Sequence, residues 1–111
     1  MKFLIHRTYF NCNMSAACDF LKDEVGGGVR KVYGLLEVED CSSEEDPDGQ
    51  AFTYVPEKLG GTILIEIYKC DDPVLALAHE LVHAAQIVYR KPLCENEAYR
   101  LESQVKEVLL K

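Results

Sequence analysis

The sequence predicts a single α+β domain over residues 1–111, in which a small, mostly antiparallel sheet of three to four strands is combined with three helices. Short runs of β-branched and aromatic residues separated by glycine and proline indicate the strands. Two long helical patterns close the chain. At 111 residues and 48% hydrophobic composition, the chain can bury one modest core.

The first part of the chain is predicted to form a strand, a helix and a second strand, over residues 2–10, 14–25 and 29–38. Asn13 or Ser15 can cap the helix, because short polar side chains accept hydrogen bonds from the first free amides. Three consecutive glycines, beginning at Gly26, should end it.

A loop rich in acidic residues follows over residues 39–50 and accounts for most of the net charge of −7. Pro47 and Gly49 mark a turn within it, since proline fixes φ and glycine tolerates the left-handed region. The acidic residues lack the spacing of a calcium-binding loop, so a solvated loop is expected. Residues 51–55 and 61–68 should then form a hairpin around Gly60 and Gly61.

Two helices are predicted to complete the domain. The first begins with Asp72 as its cap and Pro73 as its first helical residue. Pro92 separates it from the second, which spans residues 93–110.

Composition argues against several functional classes. The acidic charge repels a polyphosphate backbone, so no nucleic-acid partner is expected. The N-terminal segment is too polar for a secretory signal, and no apolar run is long enough to span a membrane. The five cysteines are odd in number and lack the C-x-x-C spacing, which favours a reducing cytoplasm. Cys18 and Cys94 are expected to be buried as small apolar residues.

The stretch AHELVHAAQ over residues 78–86 carries the clearest chemical signal. His79 and His83 lie one helical turn apart on the same face, so both imidazoles can bind one metal ion. Glu80 points to the side of that pair, where a carboxylate can act as a general base on a water molecule.

The rest of this helix argues that the histidines are not there by coincidence. His79, His83, Gln86 and Arg90 share one polar stripe, about 60° wide on a helical wheel. The other positions from 74 to 89, Glu80 excepted, are apolar or alanine, as in a buried helix. A buried polar stripe must meet a metal ion or polar partners, and we expect zinc. The alternative is a metal-free stripe that only hydrogen-bonds its neighbours.

The motif His79-Glu80-Leu81-Val82-His83, followed by Glu95-Asn96-Glu97-Ala98, resembles the gluzincin branch of the zincin metallopeptidases, in their minimal single-domain form. The resemblance implies a zincin-like fold over residues 1–111 and a zinc-dependent peptidase. It also implies that His79, His83 and a downstream glutamate bind Zn²⁺ and that Glu80 is the catalytic base. Families of this branch place the glutamate three residues before a small residue, which Glu95 satisfies through Ala98.

Helical geometry alone does not choose between Glu95 and Glu97. On a helical wheel both lie at the borders of the apolar stripe, about 200° apart, so only one can face the metal. The choice of Glu95 as third ligand therefore depends on the resemblance. The aspartate that such families often place one residue beyond Ala98 is replaced by Tyr99, so Tyr99 or Glu102 is expected to orient a ligand histidine.

The implied reaction is hydrolysis of a peptide or protein substrate by metal-activated water. A further donor often stabilises the developing oxyanion, and the sequence does not select one. The candidates are His6, Tyr54, Tyr68, Tyr89 and Tyr99. The resemblance also suggests that strand 61–68 pairs with an extended substrate. The alternative is an ordinary internal strand.

Two functional classes remain open: an active peptidase, and a zinc-containing regulatory or interaction module without peptidase activity. Glu80 favours the enzyme, because zinc binding alone does not need a carboxylate at that position.

Overall fold

The computed structural model describes residues 2–3, 12–27, 35–58 and 61–111, and shows an α+β arrangement of three helices and a four-stranded mixed sheet. The elements are β1 Lys2–Phe3, α1 Met14–Glu24, β2 Leu35–Cys41, β3 Ala51–Tyr54, β4 Thr62–Tyr68, α2 Pro73–Val88 and α3 Glu95–Leu109. The rest of the predicted first strand, and residues 29–34 of the predicted second, lie outside the described residues.

The strand order is β1-β2-β4-β3, and the expectation of a mostly antiparallel sheet is wrong. β1 pairs with β2 and β2 with β4 in parallel; only the β3–β4 pair is antiparallel. The predicted hairpin of β3 and β4 is confirmed. β4 lies between β2 and β3, and its Ile63, Ile65 and Ile67 are all buried. The expectation that strand 61–68 pairs with a substrate is therefore wrong, because β4 is paired on both sides; among the described strands, β3 is the one at that edge of the sheet.

One face of the sheet forms the core together with the helices. Leu36 and Val38 of β2 are buried beside the three isoleucines of β4, as expected for residues that alternate along a strand. α2 contacts both β3 and β4, and α3 packs against α2 and α1. α2 is therefore enclosed between the sheet and α3, which agrees with its nearly continuous apolar surface.

Local capping fixes where the helices begin. Asn13 accepts a hydrogen bond from the amide of Ala16 at 3.1 Å, and Asp72 accepts one from the amide of Leu75 at 3.0 Å. The second carboxylate oxygen of Asp72 accepts a hydrogen bond from Nζ of Lys106 at 2.5 Å. Asp72 thus fixes the start of α2 and also attaches it to the last turns of α3.

α2 ends earlier than the predicted polar stripe. Arg90 has a φ of 56°. Its backbone amide donates a hydrogen bond to the carbonyl of Ile87, and the amide of Lys91 donates one to the carbonyl of Gln86. This is a Schellman motif, in which the residue after the cap adopts the left-handed conformation. Arg90 therefore lies beyond the end of α2 and is exposed, so it does not belong to the stripe to which the sequence assigned it.

Cys18 is buried as expected, but Cys94 is exposed. Cys94 is the N-cap of α3 and has an extended backbone, so the helical wheel that placed it on the apolar stripe does not apply to it. Within the described ranges, no helix is long and apolar enough to cross a membrane.

Candidate metal centre

Three side chains from α2 and α3 converge on one point. Nε2 of His83 contacts Oε1 of Glu95, and Nε2 of His79 lies 3.4 Å from the same oxygen. The two imidazole centroids are 5.0 Å apart. His79, His83 and Glu95 each offer one ligand atom, and these three atoms lie within 4.8 Å of one another.

The two histidines are much less exposed to solvent than Glu95. The side chains of His79 and His83 are only 14% and 11% exposed, whereas that of Glu95 is 61% exposed. Two buried imidazoles therefore form the floor of the site, and a carboxylate at the first residue of α3 closes one side. The site is open to solvent on the Glu95 side.

Gln86, which is fully buried, fixes the orientation of His83. Its Oε1 accepts a hydrogen bond from the amide of Cys94 at 3.1 Å, and its Nε2 donates to the carbonyl of Cys94 at 3.1 Å and to Glu97 at 2.9 Å. These partners show which end of the Gln86 side-chain amide is the oxygen and which is the nitrogen. Nδ1 of His83 lies 2.9 Å from Oε1 and must therefore carry the proton, which leaves Nε2 free to bind a metal.

Glu102 fixes the orientation of the His79 ring. Its carboxylate accepts a hydrogen bond from Nδ1 of His79 at 2.8 Å, so Nε2 again faces the site. Tyr99 contacts the ring of His79 edge-on, with centroids 4.8 Å apart. Of the two residues expected to orient a ligand histidine, Glu102 makes the hydrogen bond and Tyr99 packs on the ring.

The structure separates the two glutamates that the sequence left as alternatives. Glu95 reaches both histidines, whereas Glu97 accepts a hydrogen bond from Gln86 and lies 3.9 Å from Arg100. Desolvation raises the pKa of Glu95, while the hydrogen bond from His83 and the charges of both histidines lower it, and the net shift is downward. Glu95 is thus favoured as a carboxylate.

Glu80 lies beside this group and is held by a residue that sequence reasoning missed. Oγ1 of Thr53 donates a hydrogen bond of 2.7 Å to Oε2 of Glu80, and the same hydroxyl lies 3.3 Å from the Glu80 carbonyl. Thr53 is opposite Ile65 in the β3–β4 register and so shares its inward face. Glu80 itself is buried, at 8% exposure.

The tyrosines considered as oxyanion donors are divided among different parts of the molecule. A hydrogen bond to Glu66, followed by desolvation, raises the pKa of Tyr54 to about 12. Desolvation, followed by the charge of Glu66, raises that of Tyr68 to about 12. Tyr89 lies against Gly26. Tyr99 alone among these four contacts a candidate ligand, and His6 lies outside the described residues.

Two cavities open beside the three candidate ligands, and Glu80 and Ala51 line both. We call the first the apolar cavity: it has a volume of about 300 Å³ and is lined by Ala51, Phe52, Thr53, Tyr54, Glu80, His83, Ile87, Leu93 and Glu95. We call the second the acidic cavity: it has a volume of about 340 Å³ and is lined by Gln50, Ala51, Asp71, Asp72, Leu75, Ala76, His79, Glu80, Tyr99 and Glu102. Glu80 therefore stands between two spaces that open at the site.

The ligand set fits zinc. Imidazole nitrogen and carboxylate oxygen are typical zinc ligands, and three protein ligands are typical of catalytic sites, which leave a position open. Each imidazole has its other nitrogen held by an acceptor, as ligand histidines do in zinc proteins.

A second group, Glu39, Cys41 and Glu66, fits less well. Desolvation and then Glu66, Glu39 and Glu44 raise the pKa of Cys41, which disfavours the thiolate that binds metals.

Comparison of the chain with protein-family models, with curated proteins and with solved structures gives no match. The function is therefore argued from the chemistry of the site itself.

Proposed function

We propose that this protein is a zinc-dependent peptidase in which His79, His83 and Glu95 bind the metal and Glu80 is the general base. One observation carries the proposal: two imidazole Nε2 atoms and a carboxylate oxygen converge beside a buried glutamate. When both rings are neutral, all three atoms present lone pairs to one another. A shared cation satisfies the three at once, whereas hydrogen bonding alone requires a second proton on each ring.

His79, His83 and Glu95 would hold a zinc ion, which when bound would act as a Lewis acid on the scissile carbonyl and on a water molecule. Glu80 removes a proton from the attacking water molecule while the water oxygen forms a bond to the carbonyl carbon. The carbon–nitrogen bond then breaks, and Glu80 returns the proton to the leaving amine. Thr53 donates to Oε2 of Glu80, and no side chain in the described part of the chain donates to Oε1, so we assign the proton to Oε1.

A zinc-containing interaction module is the alternative. The position of Glu80 supports the proposal of an enzyme. Burying a carboxylate beside the ligands costs free energy, and metal binding alone does not require such a carboxylate. The hydrogen bond from Thr53 also keeps that carboxylate in one orientation, as a proton acceptor needs.

The first experiment is native mass spectrometry of the tag-free protein after reconstitution with zinc. We expect one zinc ion per chain, lost in His83→Ala and weakened in Glu95→Gln. Glu97→Gln is the matched control: it is the same substitution two residues further on, and the new amide can still accept the hydrogen bond from Gln86. It should bind zinc like the wild type.

Peptidase activity is then measured on a peptide mixture with zinc-loaded wild type and Glu80→Gln. We expect cleavage by the wild type and at least a hundredfold loss in the variant, with zinc stoichiometry unchanged. Absence of zinc from the reconstituted wild type would refute the whole proposal. Zinc binding without cleavage of any peptide would instead favour the interaction module.

A further inference from the structure

We propose that the substrate carries a bulky apolar residue immediately before the scissile bond, and that an acidic residue immediately after it is disfavoured. This inference rests on the proposed peptidase function. Two cavities beside Glu80, and the direction in which a peptide would cross them, determine this preference.

The apolar cavity follows the open edge of β3. Four consecutive residues, 51–54, line it, although successive residues of a strand point to opposite faces. A space lined by all of them must run along the edge of the strand. Among the described strands β3 pairs only with β4, so within this part of the chain its outer edge has no partner strand and can pair with an extended peptide.

The far wall of this cavity is apolar. Ile87 is half-buried on the last turn of α2, and Leu93 is 59% exposed just before α3. His83 and Glu95 also line the cavity, so it is continuous with the candidate metal centre. A volume of about 300 Å³ lies at the lower end for ligand pockets and suits a single large side chain. The occupant is therefore one apolar side chain of the substrate.

The acidic cavity has the opposite character. Asp71, Asp72 and Glu102 line it; Asp72 is paired with Lys106, and Glu102 with His79. Asp71 is exposed and makes no ion pair within the described part of the chain. A carboxylate on the substrate would meet like charge here, whereas a neutral or basic side chain would not.

The direction of β3 sets the order of the two residues. From Gln50, just before β3, to Tyr54, the last residue of the strand, the chain runs from the acidic cavity to the apolar cavity. Antiparallel pairing is the more stable arrangement per residue. An antiparallel peptide therefore runs from the apolar cavity, past Glu80, to the acidic cavity, and its apolar residue supplies the scissile carbonyl.

The test uses four quenched fluorescent decapeptides that differ only at the two central positions: Leu-Gln, Gly-Gln, Gln-Leu and Leu-Glu. We expect zinc-loaded protein to cleave the Leu-Gln peptide between these residues, with kcat/KM at least about tenfold above that for Gly-Gln. Gln-Leu and Leu-Glu should also be poor, and the Leu-Glu peptide should improve in Asp71→Asn and at high salt.

Matched substitutions test each cavity. Leu93→Ala should reduce the preference for Leu-Gln over Gly-Gln, whereas Leu110→Ala should not; both leucines are 59% exposed, and Leu110 lines neither cavity. Asp71→Asn should reduce discrimination against Leu-Glu, whereas Asp23→Asn on α1 should not. Fluorescence anisotropy of uncleaved peptides on zinc-loaded Glu80→Gln gives the same ranking without turnover.

The two proposals fail in different ways. Cleavage of all four peptides at similar rates would overturn the assignment of the cavities, and preferred cleavage of Gln-Leu would show the opposite peptide direction; both leave the peptidase function intact. If no peptide is cleaved by protein that holds zinc, the peptidase function fails and this inference falls with it.

Discussion

At the scale of single residues, the position of Glu80 depends on Thr53. The hydroxyl of Thr53 is the one side-chain donor to the Glu80 carboxylate in the described part of the chain, at 2.7 Å. It restricts the rotation of the carboxylate and occupies one of its two oxygens. Thr53 makes no hydrogen bond to either histidine in the described part of the chain, so in the proposed mechanism it would act through Glu80 as a positioning residue.

Thr53→Val should lower kcat about 10- to 100-fold, because valine keeps the shape of the side chain and removes its hydrogen bond. Zinc stoichiometry should not change. Thr53→Ser, which retains the hydroxyl, should recover most of the rate. An equal loss in both variants would show that packing of the strand, rather than the hydrogen bond, is what matters.

Sequence reasoning reached some of these residues and not others. His79, Glu80 and His83 are related by the geometry of one helix, which spacing alone determines. Glu95 and Glu97 could not be separated, because the choice depends on how α3 crosses α2. Thr53 lies 27 residues from Glu80 in the chain and gave no signal, since any residue on the inward face of β3 would look the same.

At the scale of the elements, the ends of α2 determine where the candidate ligands meet. Asp72 holds its first turn, and Arg90 reverses the chain toward α3 after its last. The start of α2 was predictable, since its cap and its proline are local signals. Its end was not, because Pro92 only bounds the helix, whereas the reversal at Arg90 ends it earlier. The strand order was not predictable. β2 and β4 are neighbours in the sheet although β3 lies between them in the sequence, and such pairing depends on burial in the whole sheet.

Arg90→Gly should stabilise the protein by about 1 kcal/mol, because glycine adopts a φ of 56° without the steric penalty of a Cβ. Chemical denaturation of the two proteins measures this difference. Lys91→Gly is the control and should give no such gain, since a positive φ is recorded at Arg90 and not at Lys91. A loss of stability in Arg90→Gly would mean that the arginine side chain makes a contact that outweighs its backbone strain.

The Asp72–Lys106 pair should make stability depend on pH. The hydrogen bond from Lys106, and then that from the amide of Leu75, lower the pKa of Asp72 below its ordinary 3.8. A lowered pKa stabilises the fold above the ordinary value, and this contribution is lost as the pH falls through the lowered one.

Asp72→Asn keeps an N-cap but removes the charge. Thermal melts should therefore show the wild type more stable at neutral pH, with the difference shrinking as the pH falls below the ordinary pKa of 3.8 and through the lowered one. Lys106→Met should lower the melting temperature at neutral pH in the same way. A difference that persists unchanged at low pH would contradict this account.

At the scale of the whole molecule, the candidate ligands join two helices that meet the rest of the fold differently. α2 lies on the sheet, while α3 contacts α2 and α1. A metal bound by His79, His83 and Glu95 would connect these layers. Metal binding should therefore stabilise the entire domain, because such a site exists only when the helices are packed.

Free zinc at roughly 100 times its dissociation constant should stabilise the fold by about 2.7 kcal/mol and raise the melting temperature by on the order of 10 °C. Differential scanning calorimetry with zinc and with a chelator measures the shift. Glu95→Gln should reduce it and Glu97→Gln should not. Equal shifts in the two variants would indicate that zinc binds elsewhere.

The four residues of β3 link base positioning to peptide docking. The same short strand that presents Thr53 to Glu80 also offers its free edge to the apolar cavity. A slip of one residue in its pairing with β4 would turn Thr53 to the outer face and bring Phe52 or Tyr54 toward Glu80. In the proposed mechanism, such a slip would separate Glu80 from its hydrogen-bond donor and change the side chains that line the apolar cavity, so activity would depend on the register of this one hairpin.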